Sequence, residues 1–210
     1  MKTMKDIVSI LKSVGAITTN SHFVGTSGRH MPVYINKDAL LLHPEKTSEV
    51  GKLFALKFKN KNIQAVVAPA VAGIPLSQWT AHHLSKMYKK EVLSVFTEKT
   101  SENDQIFKRG FDAVVKGKRV LVVEDITTTG SSVKKVMNSV NGAGGKVVAV
   151  SVMINRDKKL VTSKSMGVPF SALGNFEIPS YEEKDCLLCR EGVPVNTKLG
   201  HGKKFLEGVR

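Results

Sequence analysis

An α/β protein with a mostly parallel central sheet flanked by helices is the fold this sequence predicts, and three features predict it. Four short, mainly apolar segments, residues 63–68, 92–97, 119–123 and 146–154, read as strands covered on both faces. Helical patterns alternate with them, so that from residue 46 the order reads α-β-α-β-β-α-β. No linker, repeat or low-complexity tract divides the 210 residues, which are enough for one domain with a sizeable core.

Each element has its own signal. Ile7, Ile10, Leu11 and Val14 fall at helical spacing within residues 4–14, and Gly15 closes the helix. Residues 31–36 read as a strand. Val50, Leu53, Phe54 and Phe58 mark a helix over residues 46–59. A further helix after Pro75 carries Leu76, Trp79, His83 and Met87. Residues 98–112 are polar and poorly periodic, and a long mobile loop is expected there. Val133, Val136, Met137 and Val140 give the next helix, ended by Gly142-Ala143-Gly144-Gly145. Residues 146–154 are then expected to be the last central strand. After Ile178 a polar segment with two prolines reads as a surface tail.

Composition narrows the class. An apolar fraction of 41% and a mean hydropathy of −0.08 fit a soluble globular protein. No apolar run approaches the roughly 18 residues of a membrane span. Residues 1–6 lead into a polar-faced helix rather than a signal peptide. Two cysteines make no disulfide framework, so a reducing, cytoplasmic setting is expected. The formal charge of +14 admits nucleic acid or a polyanionic small molecule as partner. The lysines are dispersed and hardly interleave with aromatics, which disfavours dedicated nucleic-acid binding.

The chemistry concentrates in residues 120–132, Val-Leu-Val-Val-Glu-Asp-Ile-Thr-Thr-Thr-Gly-Ser-Ser. A buried strand delivers Glu124 and Asp125 to its carboxyl end, where open parallel sheets bind ligands. Neighbouring strand residues point to opposite faces, so the two carboxylates share a task only if the strand has already turned. They suit the vicinal hydroxyls of a ribose, or an indirect hold on Mg²⁺. Thr127, Thr128, Thr129, Gly130 and Ser131 then offer hydroxyl and amide donors at a helix N-terminus, which favours a phosphate. Gly130 permits a backbone conformation or close approach that a side chain would block. A plain acidic turn with a Ser/Thr cap explains each part singly but not their combination. The spacing is neither a Walker loop nor a dinucleotide-binding turn.

This segment resembles the phosphoribosyl pyrophosphate (PRPP) signature of the type I phosphoribosyltransferases. The resemblance implies that fold, with a small N-terminal hood. It implies that Glu124 and Asp125 hold the ribose hydroxyls and that Ile126, Thr127, Thr128, Thr129, Gly130, Ser131 and Ser132 cradle the 5-phosphate. Three further stretches are similar to the orotate phosphoribosyltransferases. Residues 23–36, with Ser27, Gly28 and Tyr34, look like one wall of that family's base pocket. Residues 68–75 look like its pyrophosphate loop, with Ala70, Val71, Ala72 and Gly73 facing pyrophosphate. Residues 95–99 with Lys108 and Arg109 look like its catalytic loop, and Arg156 matches an arginine that helps bind orotate.

The resemblance implies transfer of phosphoribosyl from PRPP to orotate, with Lys99, Asp125 and Glu124 as catalytic residues. It implies Thr128, Arg156, Ser27 and Tyr34 at the base, and Mg²⁺ carried by PRPP with Asp125 nearby. A homodimer sharing the loop is implied, in one domain whose residues 1–40 and 170–210 form hood and tail. Glu98 stands where the family's loop often has arginine, Thr26 where its early segment often has a basic residue, and Ala72 where some members have lysine. Transfer to another purine or pyrimidine base is therefore the alternative, followed by a non-catalytic PRPP sensor that binds nucleic acid. Cys186-Leu187-Leu188-Cys189 has a metal-like spacing but lacks two further ligands, and it reads as a pair of free or buried thiols. His22, His30, His43, His82 and His83 show no metal-like spacing and are given no role.

Overall fold

The structure, a computed structural model, describes residues 6–25 and 27–208. Thr26 and the expected helix start at residues 4 and 5 lie outside that range. Helix α1, Ile7–Ser13, is capped by Asp6, whose carboxylate accepts the Ser9 N–H at 2.9 Å. It buries Ile7, Ile10 and Leu11. Two small antiparallel pairs follow. Strand β1 (Ile17–Thr18) pairs β4 (Tyr34–Ile35), and β2 (Phe23–Val24) pairs β3 (His30–Met31). The single strand expected over residues 31–36 is thus two, broken around Pro32, which has no N–H to give a ladder. Helices α2 (Lys37–Leu41) and α3 (Pro44–Phe58) complete the N-terminal part, with α3 opening on proline at its first turn.

The central unit then runs β5 (Ala65–Pro69), α4 (Gly73–Tyr88), β6 (Leu93–Lys99), β7 (Gln105–Ile106), α5 (Phe111–Val115), β8 (Arg119–Thr127), α6 (Ser131–Gly142) and β9 (Lys146–Asn155). Helix α7 (Ser163–Met166) and strand β10 (Phe170–Asn175) follow, and the tail holds α8 (Leu187–Arg190) and α9 (Gly202–Leu206). The six-stranded sheet has the order β10-β9-β8-β5-β6-β7, with only β7 antiparallel. Its core lies on both faces. Along β8, Leu121 and Val123 pack toward α3 and α4, while Val120 and Val122 pack toward α6. Full burial of each such side chain stabilises by about 1.5–3 kcal/mol, which is why these strands are apolar throughout.

Three expectations need correction. Residues 98–112 are not a structureless loop: Glu98 pairs Ile106 and Lys99 pairs Gln105 in a hairpin, followed by α5. Strand β9 is not the last central strand, because β10 adds beside it in parallel. Residues 170–175, assigned to the tail, are therefore part of the sheet; their half-buried edge position and Gly174 hide them from an apolar pattern. Among the described residues no helix is long and apolar enough to cross a membrane.

Candidate active site

The chain passes from β5 to β6 on one side and later adds β8 on the other side of β5. The connections from these two strands diverge at their carboxyl ends and leave a crevice there, the usual ligand position in such sheets. The turn after β5 supplies Ala70, Val71, Ala72 and Gly73. Ala70 donates its N–H to the Thr97 carbonyl at 2.8 Å, and the Ala70–Val71 peptide is cis. Val71 stands 80% exposed at the tip. A Cβ on Gly73 would lie 2.7 Å from that of Ala68, so glycine lets α4 start directly against the strand.

Strand β8 extends to Thr127, so Glu124 and Asp125 remain within it and point to opposite faces. Both are buried, each 6% exposed. Glu124 turns toward Ser132 of α6. Burial, reinforced by the Asp125 charge, holds its carboxyl well above the ordinary carboxylate range. Asp125 turns toward the N-terminal part and accepts Lys37 Nζ at 2.6 Å. Its other oxygen accepts the Ile126 N–H. Burial penalises the Lys37 ammonium, but Asp125, with help from Glu124 and Asp38, more than offsets this and raises its pKa. Lys37 was missed in the sequence, where it is one of many dispersed cations with no motif around it.

Past β8 the chain turns into α6. Thr127 Oγ1 accepts the Gly130 N–H at 3.0 Å and fixes the turn. Gly130 has φ +78°, and a Cβ there would run into Met166 Cε, so this position requires glycine. Helix α6 has no side-chain cap from Gly130, and Thr128, Thr129 and Ser131 are exposed beside its N-terminal amides, of which that of Ser131 makes a long 3.4 Å bond to Thr129 Oγ1. The result is an anion cradle at a 12-residue helix.

The Lys99 side chain is exposed at the end of β6. Lys108 and Arg109 are not turned to the crevice in this arrangement. They pair with Glu98 at 3.2 and 2.9 Å, and the Arg109 guanidinium lies 6.0 Å from the Phe96 ring centre. Lys108 chiefly, with Arg109, holds the Glu98 carboxyl below its ordinary pKa. The residue that departs from the family pattern is thus the partner of the two cations that follow it in the loop.

A cleft of about 230 Å³ brings together Tyr34, Lys37, Asp125, Ile126, Arg156 and Met31. Arg156 Nε is buried with no hydrogen-bond partner, and burial lowers the guanidinium pKa. Among the described residues no ion pair joins it to Asp157, whose carboxylate instead accepts the Lys159 and Leu160 N–H groups. Ser27 and Gly28 do not line this cleft. They lie on a neighbouring one of about 880 Å³ with Arg29, Glu182 and Lys204, and among the described residues only Gly25 and His201 border both.

A strand-end carboxylate pair, an uncapped helix and a cationic cleft at one crevice are the equipment of a phosphoribosyltransferase. The chain matches the phosphoribosyl transferase domain family over residues 36–168. It is 35% identical over 190 residues to an orotate phosphoribosyltransferase of Thermus thermophilus, covering 90% of this chain and 98% of that one. It is 36% identical over 199 residues to that of Thermotoga maritima, covering 94% and 100%. The solved orotate phosphoribosyltransferase of Mycobacterium tuberculosis with PRPP superposes with a TM-score of 0.62 at 20% identity, over 81% of this chain and 96% of that one. That of Aeropyrum pernix gives 0.60 at 24% identity, over 80% and 93%. The chain belongs to the orotate phosphoribosyltransferase family.

Proposed function

We propose that this enzyme transfers the 5-phosphoribosyl group of PRPP to orotate, giving orotidine 5′-monophosphate and pyrophosphate in pyrimidine biosynthesis. The observation that carries the reading is the split of Glu124 and Asp125 across the end of β8, between the α6 cradle and the Arg156 cleft. The amides and hydroxyls of residues 127–132 bind the 5-phosphate. Glu124 and Asp125 accept the ribose hydroxyls from opposite sides. Orotate enters the cleft, where the partnerless Arg156 Nε–H and its guanidinium meet an anionic, carbonyl-rich ring. Tyr34 and Lys37 from the hood and Ile178 and His201 from the tail complete that cleft.

The C1′–O bond breaks to an oxocarbenium-like state, and catalysis consists of positioning and of stabilising the charge on departing pyrophosphate. The Ala70–Gly73 turn receives that pyrophosphate. Lys99, at the base of the hairpin, closes over it and excludes the water that would hydrolyse the sugar. Lys108 and Arg109 reach the phosphates only by leaving Glu98. Mg²⁺ suits the buried oxygen donors at Glu124 and Asp125. The Ile126 N–H holds one Asp125 oxygen and the ribose takes the other once Lys37 has left it, so the protein would hold the ion through its waters. When bound, the ion neutralises pyrophosphate charge. In a homodimer, Lys99 serves the neighbouring subunit's site.

The test is turnover with PRPP and Mg²⁺ across orotate, uracil, adenine, guanine and xanthine. Orotate alone should be consumed. Faster turnover of any other base would replace this assignment with that base's transferase.

A further inference from the structure

Two stretches that the proposed reaction does not use meet on the hood. His22, beside β2, and His30, in β3, face Cys186 and Cys189 at α8. One donor atom from each of the four lies within 4.8 Å of all the others. His22 Nε2 is 2.7 Å from His30 Nδ1, 3.7 Å from Cys186 Sγ and 3.9 Å from Cys189 Sγ. Cys189 Sγ is 3.3 Å from His30 Nδ1. His22, His30 and Cys186 are buried, and Cys189 closes the group from the surface side.

A tetrahedral Zn²⁺ with Zn–N of about 2.0–2.1 Å and Zn–S of about 2.3 Å sets its donors roughly 3.3–3.8 Å apart. The three nitrogen–sulfur distances match within a few tenths of an ångström; the two imidazoles must part by roughly 0.6 Å, and every remaining pair already lies within 4.8 Å. The His22 tautomer is also set for ligation. Its Nδ1 lies 2.8 Å from the Val193 carbonyl, which can only accept, so Nδ1 carries the proton and Nε2 presents its lone pair. A hydrogen bond between the histidines alone would satisfy two nitrogens. It gives no reason for the chain's only two cysteines to converge on the same point.

We propose that His22, His30, Cys186 and Cys189 bind one structural zinc ion. Two thiolates balance the ion's charge, so the buried site is neutral, and binding releases two thiol protons to solvent. Two nitrogens and two sulfurs select zinc over the hard cation that accompanies PRPP. Four protein ligands leave no open position, which makes the ion a staple and not a catalyst. It joins His22 to cysteines 164 and 167 residues away in sequence. The β2–β3 hairpin it grips carries Gly25 and Met31 of the base cleft, and the tail brings His201 to the same rim. This proposal departs from the expectation that these histidines have no role and these cysteines are simple thiols.

The test is metal analysis of the untagged protein purified without chelator. One zinc per chain is expected. Stripping it with a strong chelator should lower Tm, and Zn²⁺ but not Mg²⁺ should restore it. Co²⁺ in its place should give the visible bands of a tetrahedral site with thiolate-to-cobalt charge transfer. Cys189→Ser, at the most exposed ligand, should lose the zinc while the chain stays folded; if it does not fold, the chelator cycle on the unchanged protein decides. Protein with no zinc and either two reactive thiols or a Cys186–Cys189 disulfide overturns the proposal, as does zinc retained in full by Cys186→Ser/Cys189→Ser.

Discussion

Glu124 and Asp125 are neighbours in sequence, yet the strand sends them into different surroundings. Glu124 has the more costly position. Its folded pKa is raised above the unfolded value of about 4.3. Across that window the folded state binds more protons than the unfolded one, so stability falls as pH rises through it and stays lower above it. Glu124→Gln should therefore raise Tm at neutral pH while losing most turnover, and the gain should vanish below about pH 4. Thermal melts of both proteins across pH would show it, and an equal Tm at pH 7 would count against the buried-acid account. Arg156→Leu should raise the orotate KM about 10–100-fold, the worth of a charged hydrogen bond, and leave the PRPP KM nearly unchanged. Steady-state kinetics with each substrate varied in turn would separate the two. The carboxylates were legible because a local run of strand, acid and hydroxyl defines them. Lys37 was not, because only the fold carries it to Asp125, and the same holds for His22 and His30.

At the scale of elements, the junction of β8 and α6 works because one position takes a left-handed turn under Met166. Gly130→Ala should cost about 1–3 kcal/mol from backbone strain, lowering Tm by about 2–4 °C per kcal/mol. PRPP affinity should fall further than stability alone explains, since the amides aimed at phosphate move with the turn. Calorimetry and PRPP titration of the same variant check both halves. The apolar strands and the large helices α3, α4 and α6 were readable from period and length. The β6–β7 hairpin was not, because two-residue pairing in a polar stretch leaves no alternation to detect, and its ion pairs between Glu98 and two half-exposed cations are individually weak. Strand β10 escaped because an edge strand need not be apolar.

For the whole molecule, the sheet order brings the Ala70 turn, the Lys99 strand end and the Glu124–Ser132 segment to one rim, and that much followed from recognising a parallel sheet. The contribution of hood and tail did not, since it depends on contacts between the two ends of the chain. If the Lys99 loop serves a neighbouring subunit, mixing Lys99→Ala with Arg156→Leu chains, assayed at orotate far below the raised KM, should restore roughly a quarter of wild-type turnover through mixed dimers with one intact site. Activity no higher than the sum of the two variants would mean that each subunit acts alone. The Lys37–Asp125 bond has a consequence for timing. Before any ligand arrives, the carboxylate proposed for the sugar is occupied by the chain's own ammonium, which also borders the proposed base cleft. On the proposed assignment the sugar donor displaces that lysine, and the displacement leaves the cleft an ammonium no longer neutralised by Asp125. Orotate should then dock tightly only in second place, so an orotate analogue should inhibit uncompetitively against PRPP, while Lys37→Met should let the two substrates bind in either sequence.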